Sequence, residues 1–424
     1  MKEVACKSTW PHGRHALDSL MTMLDQIFVT IKQWLLTFIP ENLHPIGSAL
    51  LSIVAIISVF GTAFALTTIL ERKGLGRIQN RYGPNRVGPC GFLQPIADAV
   101  KMLTKEDIVP YAADKVLHYL APIVLTVPIW LAFAVLPFGR NMSAIDLDAG
   151  IVFFFAAGSA SELAVFMAGW SSHNKYSLIG AMRGIAQMIS YEVPLVLSTI
   201  PVLMLSGTLN LNEIVNAQSG FAFGVGKWNV LTPWGAAGFL LFMIAATAES
   251  NRAPFDLPEG ESEIIAGYLT EYSGFKYALF FLGEYLGLFA VTGLAVTLFL
   301  GGWNAPLAFL SVLPSWFWFF AKFGALIAVF IWARGTVPRL RFDQLLNFAW
   351  KFLVPLAVVN LVVAGIWHFA SVSWPAPSLS RPLEYLETVA PRWLACAGLF
   401  FAAYEILGRV LSLKRAPRTY RYAE

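Results

Sequence analysis

Cysteine and charge are both scarce in this 424-residue chain. The three cysteines, Cys6, Cys90 and Cys396, lie far apart and form no Cys-x-x-Cys pair, which excludes an iron–sulfur or thiolate metal site built by this chain alone. The six histidines are equally scattered, with no His-x-x-x-His pair and no facing pair to ligate haems. Any electrons that pass near this chain are carried by another one. Charged residues make up only 13% of the sequence and apolar residues 57%, against the ~25% charged expected of a soluble domain. Such a chain belongs in a bilayer. There is no alternating barrel pattern, no internal repeat and no low-complexity linker, and a net charge of +4 does not favour nucleic acid as a partner.

What the sequence does contain is long uncharged stretches. Residues 45–70, 119–139 and 228–248 each reach the ~20 residues that a helix needs to cross the hydrocarbon core. Eight spans are expected, at 46–70, 117–138, 150–172, 180–206, 231–248, 277–300, 316–334 and 348–369. A ninth, near 391–412, is interrupted by Glu405. The expected fold class is therefore an all-α integral membrane protein, one bundle of eight core transmembrane helices with an extra C-terminal helix. Residues 17–39 place Leu20, Leu24, Ile27, Phe28, Ile31, Leu35 and Phe38 at helical spacing with Asp18, Asp25 and Lys32 between them, an amphipathic helix that lies on the membrane surface. That stretch carries no small-residue cleavage site, so a removed signal peptide is not expected.

Positive residues orient the bundle, because cytoplasmic loops carry the excess of Lys and Arg. The loop after the first span holds Arg72, Lys73, Arg77, Arg81, Arg86, Lys101, Lys105 and Lys115, and that after the seventh holds Arg334, Arg339 and Arg341. The alternate loops hold Arg140, Lys227 and, between residues 301 and 315, nothing positive. The bias puts the N-terminus outside, in the periplasm of a bacterial plasma membrane, and a ninth span returns the tail with Arg409, Lys414, Arg415, Arg418 and Arg421 to the cytoplasm.

Two polar loops carry the chemistry. In residues 71–89, Gly83-Pro84 and Gly88-Pro89 force turns, so the arginine-rich segment is expected to be irregular rather than a continuous helix, shaped to dock a partner or to bind anionic lipid. Gly74-Leu75-Gly76 lacks the third glycine and the preceding strand of a dinucleotide fingerprint. The other loop holds most of a cluster in which seven of the chain's 26 acidic residues fall between Glu249 and Glu284. Carboxylates that share a poorly solvated site cannot all ionise at neutral pH, and they titrate as a coupled set able to take up and release protons. A solvated acidic loop leaves Glu284, flanked by Leu282-Gly283 and Tyr285-Leu286, without an explanation. Further ionisable groups fall inside expected spans: Glu162, Arg183, Glu192 and Lys322. Arg183 and Glu192, nine residues and ~13.5 Å apart, are expected roughly on one side of their helix as part of one polar track; taken singly, each fits a packing ion pair as well.

At these residues the chain resembles the complex I membrane subunit that builds the quinone chamber, the H-type subunit of bacterial NADH-quinone oxidoreductase or subunit 1 of the mitochondrial enzyme. The resemblance rests on residues 71–89, 91–106, Gly169-Trp170-Ser171-Ser172, 178–193 with Ser190-Tyr191-Glu192-Val193, 248–272, Gly283-Glu284-Tyr285 and Arg339-Leu340-Arg341-Phe342-Asp343-Gln344. It implies a quinone-chamber domain over residues 46–370, flanked by extensions at 1–45 and 371–424. It implies that Arg72, Arg81, Asp98, Lys101, Arg252 and Phe255 line a quinone tunnel or the surface that docks the hydrophilic arm. It further implies that Glu249, Glu259, Glu261, Glu263 and Glu271 form an acidic funnel, which Glu192 and Glu284 pass inward. Quinone is then the substrate, and the iron–sulfur clusters and FMN reside only in partner subunits. The implied partners are the arm subunits with the terminal cluster and the small membrane subunits that lead to antiporter-like pumps. Phe166 and Glu162 depart from the pattern, standing where the family usually has a tyrosine and an uncharged residue. Membrane-bound hydrogenases and formate hydrogenlyase hold related subunits, but the unbroken run from Arg81 to Pro89 favours the quinone enzyme. A stand-alone proton-coupled transporter is the alternative from another class, and the paired broken helices of repeat-built carriers are missing here.

Overall fold

The computed structural model describes residues 24–222, 224–258, 265–373 and 382–413. The start of the expected amphipathic helix, and Glu259, Glu261 and Glu263 of the expected funnel, lie outside the described residues. Within them the regular structure is helical apart from one small hairpin, Phe221–Ala222 paired antiparallel with Val225–Gly226.

Helices α1 (Ile27–Leu36) and α2 (His44–Ile78) open the fold. After the short α3 (Gln94–Thr104) come α4 (Lys115–Val135), α5 (Gly150–Ser171) and α6 (Lys175–Ser206). A small α7 (Leu211–Ala217) leads through the hairpin to α8 (Pro233–Glu249), α9 (Gly274–Phe299) and α10 (Ser315–Thr336). Then α11 (Phe342–Phe348) runs through a π-helical turn into α12 (Val354–Ser373), and α13 (Pro382–Leu413) closes the chain. Local chemistry sets the starts: Asp114 accepts from the Val116 amide at 3.1 Å, Asn174 from Tyr176 at 3.0 Å, and Thr232 from Gly235 at 3.2 Å, each relieving an orphan donor of the first turn. Pro45, Pro95 and Pro233 stand where their missing amide costs nothing.

Among the described residues seven helical stretches are long and apolar enough to cross a membrane. The expected span at 231–248 forms α8, whose 17 residues reach only about 26 Å. The expected ninth span falls within the 32-residue α13. The first span differs more. Helix α2 continues for 35 residues through Gly74-Leu75-Gly76 to Ile78, so the arginine-rich segment is irregular only from Gln79 onward.

Helix α9 lies at the centre, with every residue from Leu288 to Phe299 buried among α4, α8 and α10. Lipid tails are as apolar as leucine, so close packing holds such helices together, and small residues mark the crossings. A Cβ added to Gly169 of α5 would stand 2.3 Å from the Ala181 Cβ of α6. Phe60, Phe133, Phe289, Phe319 and Phe323 interlock between α2, α4, α9 and α10, with Phe60 stacked on Phe133 at 4.1 Å. The far end of α9 is closed by a cation: the Lys322 ammonium donates to the carbonyls of Leu300 (2.6 Å), Gly302 (2.9 Å) and Asn304 (2.6 Å) and lies 4.0 Å over the Trp228 ring. Lys322, an ionisable group inside an expected span, thus caps the end of a helix.

Candidate functional site

Two helix ends and one loop converge on Glu71. The loop between α8 and α9 is pinned by Gln187, whose amide nitrogen lies 2.7 Å from the carbonyls of both Ala248 and Phe255 and 3.2 Å from Asn251 Oδ1. That clamp turns Arg252 inward. Its guanidinium, with the side chain 10% exposed, lies 3.7 Å from Glu71 Oε1 and 3.8 Å over the Tyr285 ring. Arg334 of α10 pairs with the same Glu71 oxygen, and the Tyr285 hydroxyl donates to the other. Burial opposes the Arg252 cation, but Tyr285, Glu71 and Glu284 outweigh it and hold its pKa above the ordinary guanidinium value. An arginine fixed this way is a permanent positive charge inside the bundle.

A cavity of about 70 Å³ lies beside this group, lined by both Glu249 and Glu284 together with Ser161, Met188, Asn251 and Tyr268. Ser250 also borders it, and the rest of its walls are apolar. Glu284 Oε1 accepts from the Tyr268 hydroxyl at 2.9 Å and sits in the field of Arg252, Asp256 and Arg334. Glu249 Oε2 is buried with no hydrogen-bond partner, and the charges of Glu162 and Glu192 act on it. Glu162 and Glu192, on α5 and α6, reach each other within hydrogen-bonding distance. Glu162, Glu192 and Glu249, from three helices, are therefore electrostatically coupled, and Glu284 of a fourth shares with Glu249 a cavity with room for a water or two.

The helices can meet this closely because of a glycine pair. A Cβ on Gly180 of α6 would lie 2.6 Å from the Gly267 Cα, so no side chain fits where the acidic loop returns along α6. The Ser177 hydroxyl donates to the Tyr268 carbonyl at 3.2 Å and secures the same segment. Glu271 stands apart from the cavity, accepting from Asn174 at 2.7 Å. Near it, His118 stacks on Tyr272 at 4.0 Å, and Lys276 bridges from His118 Nδ1 (3.5 Å) to Asp107 (3.0 Å). Burial pushes the Tyr272 phenol up to about 12, against a smaller opposing effect of the Ser171 hydroxyl.

The expected tunnel and docking residues separate into two groups. Arg72 pairs with Asp98 at 2.7 Å and Lys101 reaches it at 3.8 Å, which ties α2 to α3 on an exposed surface. Arg81 is exposed there too, with its Nε bonded to Gln79. Arg252 and Phe255 are instead buried, and Phe255 packs on Tyr191 with ring centres 5.4 Å apart. Arg183 and Glu192 do not share a side: nine residues are two and a half turns, so Arg183 lies over the Phe342 ring while Glu192 faces Glu162. Phe166 is exposed beside Trp170, 6.1 Å between ring centres.

Sequence reasoning alone misses Glu71, Arg334, Tyr285 and Tyr268 as site residues. Glu71 has a signal, a carboxylate directly after 26 uncharged residues, but its basic sequel makes it look like the start of a loop. Among the described residues no three His, Cys, Asp or Glu side chains come together as metal ligands.

Comparison with known proteins gives a consistent result. The model of the NADH dehydrogenase family matches residues 51–365. The H-type NADH-quinone oxidoreductase subunit of Dehalococcoides mccartyi strain CBDB1 is 51% identical over 316 residues, covering 74% of this chain and 86% of the relative. A counterpart of the same name from Geobacter metallireducens is 47% identical over 325 residues, covering 74% and 95%. That of Polaromonas naphthalenivorans is 43% identical over 354 residues, covering 81% and 98%.

Proposed function

The chain belongs to the NADH dehydrogenase family as a multi-pass membrane subunit of complex I, an NADH-quinone oxidoreductase whose other subunits it must meet, and we propose that it couples quinone reduction to proton movement through its buried carboxyl series. In this reading quinone enters a tunnel bordered by the Arg72, Asp98 and Lys101 surface and by Arg252. The iron–sulfur clusters and FMN sit in partner subunits of the hydrophilic arm. Reduction of quinone draws protons and alters the charge near Arg252 and Glu71, and Glu284 responds because it shares the field of the same arginine. The proton shift passes by way of the small cavity to Glu249, and then to Glu192 and Glu162, toward the membrane subunits that pump. Glu259, Glu261, Glu263 and Glu271 belong to the entry side of that route. The site is assigned to a bacterial plasma membrane, with the basic loops on the cytoplasmic side.

One observation carries the reading: a single cavity is lined by Glu249, which has an unpartnered buried oxygen, and by Glu284, which lies in the field of the Arg252 and Arg334 cations. A purely structural ion-pair network has no use for a partnerless carboxyl oxygen on a cavity wall. The test is Glu192→Gln and Glu284→Gln in the assembled complex, with proton pumping measured per quinone reduced in closed vesicles. Both variants assemble and pump less; undiminished pumping in both refutes the roles given to them.

A further inference from the structure

At the opposite end of the bundle from Glu71 lies a second cavity, of about 300 Å³, within the range of small-ligand sites. It is bounded by the segment before α1, the turn after α4, and the stretch between α9 and α10. Its polar lining holds charges of both signs, the Asp25 carboxyl and the Arg140 side chain, accompanied by the hydroxyls of Ser219, Ser311 and Ser315. No ion pair joins Asp25 to Arg140 among the described residues. Asp25 is held in place as it accepts from the Ser315 amide at 2.7 Å, and Ser315 Oγ accepts from the Arg140 amide at 3.1 Å, so the Asp25 carboxyl and the Arg140 backbone are anchored to one turn. Trp303 and Trp318 complete the wall.

The surroundings say what kind of molecule suits this cavity. Phe309, Val312, Leu313 and Phe317 are exposed next to it, and α1 exposes Ile27, Phe28 and Ile31 on its flank. Tryptophans, an arginine and exposed apolar side chains at a helix end mark the level of lipid headgroups. We propose that this cavity binds the headgroup of one phosphatidylethanolamine molecule, with its phosphate on Arg140, its ammonium on Asp25 and its acyl chains along the Phe309 to Phe317 strip. An anionic lipid would leave Asp25 facing its phosphate, a repulsive arrangement. A quaternary choline headgroup has no N–H to give the carboxylate and the hydroxyls, whereas a primary ammonium has three. Seated there, the lipid would join α1 to the bundle at a place where the direct bonds are few.

The test uses the purified complex in nanodiscs with equal amounts of phosphatidylethanolamine, phosphatidylcholine and phosphatidylglycerol, one of them carrying a photoreactive diazirine in each experiment. Labelling of the peptide over residues 303–318 is read by mass spectrometry. The expected result is labelling by phosphatidylethanolamine several-fold above the other two, lost in Arg140→Gln. In Asp25→Asn, which keeps an oxygen for the Ser315 amide, the preference moves to phosphatidylglycerol; loss of fold alone produces no such reversal. Water-soluble glycerophosphoethanolamine in excess should not compete. Equal labelling by all three lipids, no labelling because another segment or subunit fills the cavity, or full competition by the soluble headgroup each overturns the proposal.

Discussion

Replacing Glu71 by glutamine tests the electrostatic core of the site directly. The substitution keeps the shape of the side chain and removes the anion that Arg252 faces at 3.7 Å, where with an effective dielectric of 20 the attraction amounts to about 4.5 kcal/mol. Part of that is returned as the loosened corner admits water to the guanidinium, whereas the Tyr285 ring, 3.8 Å away, contributes equally before and after the substitution. Arg334, one-third exposed, turns to solvent at little cost. The net loss is therefore about 3 kcal/mol, the lower end of what breaking one half of a buried pair brings. Local opening governs amide exchange, so in the assembled complex the amides at the end of α2, residues 71–78, should exchange about 100-fold faster in Glu71→Gln, at ~1.4 kcal/mol per factor of ten. Removing both charges in Glu71→Gln/Arg252→Gln should bring the rate back to within about 10-fold of the unaltered chain, because no unpaired buried charge is left. If Glu71→Gln exchanges at the original rate, Arg252 does not depend on Glu71 and the account of this corner is wrong.

Two further substitutions probe the supporting geometry. Gly180→Ala places a methyl group 2.6 Å from the Gly267 Cα, so the returning acidic loop must move by about 1 Å, and quinone reduction should fall by up to ~100-fold in a complex that still assembles; an unchanged turnover number rules out the role of this contact. Lys322→Met deprives three carbonyls of one shared donor at a cost of about 2–3 kcal/mol, and limited proteolysis should then cut residues 219–231 faster, since that hairpin rests on the same corner through Trp228. Cleavage at the original rate shows the cap to be dispensable.

How much can be read in advance depends on the range of the interaction. The spans are long runs of one solvent preference, and each is a local property, so their places emerge from composition within a few residues. The surroundings of Glu71 escape such reading because they are not local: Arg252, Arg334 and Tyr285, which meet its carboxylate, stand 181 to 263 positions later. The same reason hides Lys322 as a cap, whereas the separation of Arg183 from Glu192 is local, since nine residues are two and a half turns. Of the acidic residues near 249–284, Glu249 and Glu284 line one cavity, whereas Glu271 bonds to Asn174.

By itself the sequence determined that this chain lives in a membrane, that its helices cross it repeatedly, and that its three cysteines stand too far apart in the chain to read as a metal motif. It did so because transfer free energy and ligand spacing are sums over neighbours in the chain. Which carboxyl group sits opposite which cation, and which of them share a cavity, was decided only by tertiary structure. An electrostatic interaction depends on distance in space, and four helices bring together charges that the chain keeps far apart.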